Sequence, residues 1–125
     1  MILGLGTDLV AITRVEEVLS RHQARFLDRV FTPTEQADCF ARARPAMHLA
    51  ARLAAKEAAM KALGTGWGLG VRWQDIEVRS GASLPPTLFL TGAARERAEA
   101  KGIRQAMVSL SHDGEYAIAV VLATD

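Results

Sequence analysis

A single cysteine, Cys39, stands among 125 residues. No disulfide can close within the chain, and with no Cys/His spacing around that thiol a zinc site is not expected. Cys39 reads as a buried or bystander thiol. No apolar run approaches membrane-spanning length, so no membrane partner is expected. Met1-Ile2-Leu3 lacks the basic region and cleavage pattern of a signal peptide, which predicts a cytoplasmic protein. Charge of one sign is lacking too. The net charge of +1 gives no argument for a nucleic-acid partner, and any electrostatic recognition must come from local clustering. No segment is repeated, low in complexity or disordered in composition. What remains is a chain that is 50% hydrophobic, enough for one core in one domain over residues 1–125. It is small enough that association would bury useful further surface.

The most informative stretch runs from Arg52 to Gly66, where an acid and two lysines precede a Gly-Thr-Gly loop. Ala, Leu, Met, Lys, Glu and Arg favour a helix and nothing β-branched interrupts them. The expected helix spans about Ala46 to Leu63, with Gly64 ending it. At helical spacing Glu57 falls on the side of Leu53, Met60 and Ala50, so this carboxylate borders the apolar face and needs a partner. Lys61 at i+4 is one partner. A divalent cation is the other, with Lys61 and the Gly64, Thr65 and Gly66 amides meeting phosphate oxygens.

The amino terminus supplies a second acid. Ile2 to Asp8 reads as a short apolar strand whose alternation puts Gly4, Gly6 and Asp8 on one face, where missing side chains let another group come close. Asp8 is expected to end that strand beside open space. A Thr13-x-x-Glu16 capping box starts the next helix, so the cap does not need Asp8. An Asp8 and Glu57 pair without histidine or thiolate suits Mg²⁺, which takes one or two carboxylates and leaves its other positions to water and substrate phosphate.

On the first helix Arg14, Val18, Arg21, Arg25 and Arg29 share roughly 80° of arc, a basic stripe around an apolar residue. Such a stripe is either a solvated face or a docking surface. Thr32-Pro33-Thr34-Glu35 is a capping box that opens a helix ending near Ala43. Strands are expected at Asp75 to Arg79 and Thr87 to Leu90 around a Ser80 to Pro86 turn, followed by a helix from Ala93 to Lys101 stopped by Gly102. A hairpin of Ala106 to Ser111 and Glu115 to Leu122 turns at His112-Asp113-Gly114. Met47, Met60 and Met107 read as core, and Trp67 and Trp73 as core or its loop neighbours. The order of elements predicts an α+β domain with a mostly antiparallel sheet packed on helices.

Taken together, Gly4-Leu5-Gly6-Thr7-Asp8-Leu9-Val10, the Arg52 to Gly66 block and Ser109-Leu110-Ser111-His112-Asp113 resemble the holo-acyl-carrier-protein synthases. These are the small trimeric group of 4′-phosphopantetheinyl transferases. Phe31 to Glu35 is a fourth, weaker match, and the resemblance covers essentially the whole chain. Leu53 stands where an aromatic residue is usual, and Thr7 where an aliphatic one is frequent; neither is a proposed ligand. The resemblance implies Mg²⁺-dependent transfer of 4′-phosphopantetheine from coenzyme A to a serine of an apo acyl carrier protein, a reaction of fatty-acid and other lipid biosynthesis. It implies Asp8 and Glu57 as metal ligands and Lys61 as a further catalytic group. Arg52, Pro86 and His112 would lie at the nucleotide end of coenzyme A, and Arg14, Val18, Arg21 and Arg25 would dock the acidic carrier. It also implies a homotrimer with a site at each interface. The proton acceptor for the serine stays open between Glu57, a metal-bound water, Asp113 and His112, as do the carrier's identity, acyl-coenzyme A tolerance and the choice of Mg²⁺ or Mn²⁺. A nucleotide-sensing module needs no second carboxylate, and a purely structural subunit leaves the stripe and the loop idle.

Overall fold

The computed structural model describes residues 1–80 and 84–125. Ten residues at the amino terminus form β1 (Ile2–Ala11), followed by α1 (Ile12–Val30), α2 (Pro33–Phe40) and α3 (Pro45–Leu63). A single 3₁₀ turn, Trp73–Asp75, leads into β2 (Ile76–Arg79), β3 (Thr87–Leu90), α4 (Gly92–Ala100), β4 (Gln105–Asp113) and β5 (Tyr116–Thr124). The sheet order is β1-β5-β4-β3-β2 and every neighbouring pair is antiparallel. This is the α+β architecture expected. Residues 81–83 of the expected Ser80 to Pro86 turn lie outside the described residues.

Helix α3 is the centre of the core. Its alanines at 50, 51, 54, 55, 58, 59 and 62 are all buried, as in a helix enclosed on most sides. Small side chains let α3 settle close to the sheet, and β1 meets it with glycines. A Cβ on Gly6 would overlap the Ala58 carbonyl, and one on Gly4 would overlap that of Ala62. The group that comes close to the glycine face is therefore the backbone of α3 itself.

Several boundaries differ from expectation for local reasons. Asp8 is not a strand end: β1 continues to Ala11, because Leu9, Val10 and Ala11 pair with Ile118, Ala117 and Tyr116. The Thr13-Glu16 capping box does not form, since α1 starts directly from Ala11 with no side-chain cap. The Thr32-Glu35 box does form, and α2 ends at Phe40 rather than near Ala43. His112 and Asp113 are strand residues opposite Ala117 and Tyr116, so the turn narrows to Gly114 and Glu115, with Gly114 at φ 59°. Met60 is buried, but Met107 points out from β4 and is 45% exposed. Cys39 is fully buried, and that burial is the main reason its thiol is pushed up to about 11.

One buried ion pair holds the layers together. Lys56 Nζ lies 2.8 Å from Glu35 Oε1, both side chains fully enclosed. Lys56 also donates to the Trp73 and Ile76 carbonyls. The Glu35 carboxylate accepts from the Thr32 and Val78 amides. Such a pair is tolerated in a core when further hydrogen bonds satisfy both charges, and losing one partner costs about 3–5 kcal/mol. It locks α3 in place from the face opposite β1.

Candidate active site

The glycine seam sets the site. With Gly4 and Gly6 against Ala62 and Ala58, the next inward residue of β1, Asp8, comes up beside Glu57 and Lys61 of α3. Asp8, Glu57, Met60, Lys61, Gly66 and Trp67 line one cleft of about 300 Å³. Lys61 Nζ donates to the Thr7 carbonyl at 2.9 Å and lies 3.2 Å from Asp8 Oδ1. The i+4 pairing with Glu57 is thus not the contact Lys61 makes. The second lysine, Lys56, is not in the cleft, because it is spent on Glu35 in the core.

Glu57 is half-buried and its carboxyl is pushed up to about 7. Burial is the larger cause and the facing Asp8 carboxylate adds to it, while the charges of Arg14 and Lys61 pull the other way. Asp8 Oδ2 is buried with no hydrogen-bond partner. A buried carboxylate oxygen left unmatched beside a second carboxylate is costly, and a cation between them relieves both costs. Among the described residues no three His, Cys, Asp or Glu side chains gather into a cage. Two carboxylates are nonetheless the protein contribution that Mg²⁺ commonly has. The donor set fits a hard divalent cation.

The loop after α3 contributes less than expected. Gly64 takes the left-handed conformation at φ 74°. The Gly64 and Thr65 amides donate back to the Lys61 and Met60 carbonyls at 3.1 Å each, so these two are engaged by the helix end. A helix C-terminus carries the negative end of the dipole. Positive charge in this cleft therefore comes from Lys61, with Gly66 on its wall.

Arg52, Pro86 and His112 come together elsewhere, in a second cleft of about 220 Å³ lined also by Arg42, His48 and Ser111. Arg52 is buried, donates to the His48 carbonyl at 3.3 Å and leaves Nε without a partner. Burial lowers the His48 pKa, and the charges of Arg42, Arg52 and His112 lower it further. Such mutual repulsion marks a place that attracts an anion. Arg42 and His48 were missed in the sequence; His48 lies one helical turn before Arg52 on α3, the only signal that could have found it. Five positions on a helix, from Arg52 to Glu57, amount to about 140° of rotation. The two clefts therefore open on different sides of α3.

The arginines of α1 are exposed and Val18 is half-buried between them. Their stripe is not continuous: His22, at φ −140° and ψ 41°, breaks the helical path. Arg14, Val18 and Arg21 precede the break and Arg25 and Arg29 follow it, so a single 80° arc does not hold. Arg14 also acts on Glu57 through its charge, a link between stripe and cleft that spacing alone did not reveal.

Comparison with known proteins matches this geometry to one family. A holo-[acyl-carrier-protein] synthase of Halorhodospira halophila is 48% identical over 122 residues, covering 98% of this chain and 97% of that protein. The crystal structure of the corresponding synthase from Neisseria meningitidis superposes with a TM-score of 0.90 at 33% identity, each chain covered in full. That from Helicobacter pylori, in complex with coenzyme A, gives 0.84 at 32% identity, with 96% of this chain and 99% of that one covered. Residues 4–121 match the model of the 4′-phosphopantetheinyl transferase superfamily, and the chain belongs to that family.

Proposed function

We infer that this chain is a holo-[acyl-carrier-protein] synthase, transferring 4′-phosphopantetheine from coenzyme A to a serine of an apo acyl carrier protein. The observation that carries the reading is the meeting of Asp8, Glu57 and Lys61 in one cleft, within a chain whose relatives at this likeness are named as such synthases. In the reaction the serine oxygen bonds to the phosphorus that bears pantetheine. The bond from that phosphorus to the bridging oxygen breaks, and adenosine 3′,5′-bisphosphate leaves.

Asp8 Oδ2 and Glu57 would hold Mg²⁺, which when bound supplies Lewis-acid charge neutralisation at the pyrophosphate. Lys61, anchored on the Thr7 carbonyl and the Asp8 carboxylate, faces the bridging and leaving oxygens and stabilises their developing charge. Of the groups that could accept the serine proton, Glu57 is the one that lines the carboxylate cleft of the same chain; His112 would reach the composite site only from the neighbouring protomer.

The nucleotide end of coenzyme A takes the Arg52, Pro86 and His112 cleft, whose excess positive charge suits a 3′-phosphate. Because the two clefts face apart on one chain, a complete site joins the carboxylate cleft of one protomer to the basic cleft of its neighbour. The outer sheet face supports a homotrimer as that assembly. Leu5, Leu9, Tyr116, Ile118, Val120 and Met107 stand exposed side by side on β1, β5 and β4, an apolar surface of the kind that marks an interface. Residues 1–125 act as one transferase domain. Arg14, Val18, Arg21 and Arg25 receive the acidic carrier.

The experiment is release of adenosine 3′,5′-bisphosphate from coenzyme A and Mg²⁺, followed by chromatography with and without apo carrier. Release in equal amount to carrier supports transfer. Release without carrier would mean simple hydrolysis.

A further inference from the structure

Lys56 precedes Glu57 on α3, yet no step of the transfer uses it. Its side chain is fully enclosed, and its partners lie far off in sequence: Glu35 of α2 and the carbonyls of Trp73 and Ile76. A buried ion pair is weak evidence for stability, because a neutral core of similar volume often serves as well. The ammonium calls for a second reason.

That reason lies in what the Trp73 carbonyl holds. Beyond Leu63 the chain leaves α3, puts Gly66 and Trp67 on the wall of the carboxylate cleft, and comes back at the Trp73–Asp75 turn. Glycines stand at 66, 68 and 70, and Leu69 takes a left-handed φ of 63°. Such a stretch has little conformational preference of its own and depends on its anchors. The outgoing end is fixed by the Gly64 and Thr65 amides on the Lys61 and Met60 carbonyls. At the returning end, Lys56 supplies the hydrogen bonds that join α3 to the Trp73 and Ile76 backbone. Donors that carry charge make bonds roughly twice as strong as neutral ones. The Trp73 indole stands 5.7 Å from that of Trp67, so what fixes Trp73 bears on the cleft wall. Successive helical residues point about 100° apart. One turn of α3 thus carries Glu57 into the cleft and Lys56 toward the chain that walls it.

We propose that Lys56 is a positioning residue for the transfer: through the Trp73 and Ile76 carbonyls it holds the returning chain on α3, and so keeps Gly66 and Trp67 in place beside Asp8, Glu57 and Lys61. Glu35 has the separate task of neutralising the ammonium in the core. The inference rests on the transferase reading above and adds a residue that acts on that site without touching substrate.

Two variants separate the tasks. Glu35→Gln removes the ion pair but keeps Lys56 as a donor, and Gln still serves the cap of α2. Lys56→Met/Glu35→Gln removes the donor too and leaves no unpaired charge in the core. Both should lower Tm. Well below both midpoints, with the fold confirmed by circular dichroism, the double variant should lose about tenfold or more in kcat, with the KM for carrier within about threefold. Glu35→Gln should keep kcat within about threefold of the wild type. Trp67 and Trp73 are the two tryptophans of the chain, so fluorescence reads the wall without any turnover. Acrylamide quenching should rise in the double variant and not in Glu35→Gln. Should the double variant not fold, Lys56→Gln/Glu35→Gln, whose amide stops one bond short of the lysine nitrogen, should show the same loss of kcat and the same rise in quenching.

Wild-type kcat in the double variant would overturn the proposal, as would equal losses of kcat in both variants, which would make the pair a matter of stability alone. Quenching that rises in the double variant only, with no transfer even by the wild type, would leave Lys56 holding the wall and sink the transferase reading.

Discussion

Lys61 Nζ lies 3.2 Å from Asp8 Oδ1, although Glu57 is the carboxylate one turn before it on the same helix. The lysine thus takes one oxygen of Asp8 and leaves the buried Oδ2 without a partner beside Glu57. That division of labour predicts that Asp8 and Glu57 act as one unit. Asp8→Asn and Glu57→Gln should each lower kcat/KM by about 10²-fold or more with the fold intact. The double variant should fall within about threefold of the worse single one. Full activity in either single variant would remove that carboxylate from the mechanism.

The raised Glu57 carboxyl makes stability depend on pH. Its folded value of about 7 stands above the ordinary 4.5, so between those values the folded state binds more protons than the unfolded one. Metal-free protein should lose stability as pH rises through that window and level off above it. Mg²⁺ should therefore raise Tm more at pH 8 than at pH 5.5, and Glu57→Gln should flatten the difference. Thermal scans in EDTA and in Mg²⁺ provide the check; equal Mg²⁺ shifts at both pH values would contradict it.

The α1 arginines should act through charge on an acidic partner. Arg21→Glu should raise the KM for carrier protein roughly tenfold with a smaller effect on the KM for coenzyme A, and added salt should weaken wild-type association. Arg14→Glu should do this and also lower kcat, because Arg14 reaches Glu57 electrostatically. Equal loss for both substrates in Arg21→Glu would mean that the stripe is not a dedicated docking surface.

If the carboxylate cleft and the basic cleft of different protomers form one site, inactive subunits should complement. Glu57→Gln protein mixed with Arg52→Ala/His112→Ala protein under subunit exchange should regain activity, since some interfaces then carry only wild-type groups. No recovery, with exchange confirmed by native mass spectrometry, would place the whole site in one chain.

Much of this was legible in the residues because local rules and tertiary demands agree. The alanine-rich α3 ends where Gly64 can turn left-handed, and Thr32 with Glu35 caps α2. The failures are places where a contact distant in sequence decided. Pairing with β5 carried β1 past Asp8, and Glu35 drew Lys56 into the core. The break at His22 has no proline or glycine to announce it. The Asp8 and Glu57 pair was expected from its donor chemistry, and the Gly4 and Gly6 seam is the contact that brings it about. That Arg42 and His112 join Arg52 depends on how neighbouring segments pack on α3, which no spacing reveals, whereas His48 lies one helical turn before Arg52.

The most direct measurement is the intact mass of an apo acyl carrier protein after incubation with this protein, coenzyme A and Mg²⁺. The account predicts a gain of one phosphopantetheine group on the carrier serine with the wild type, and none within the same time with Glu57→Gln. An unchanged mass with the wild type, or the same gain with Glu57→Gln, would contradict it.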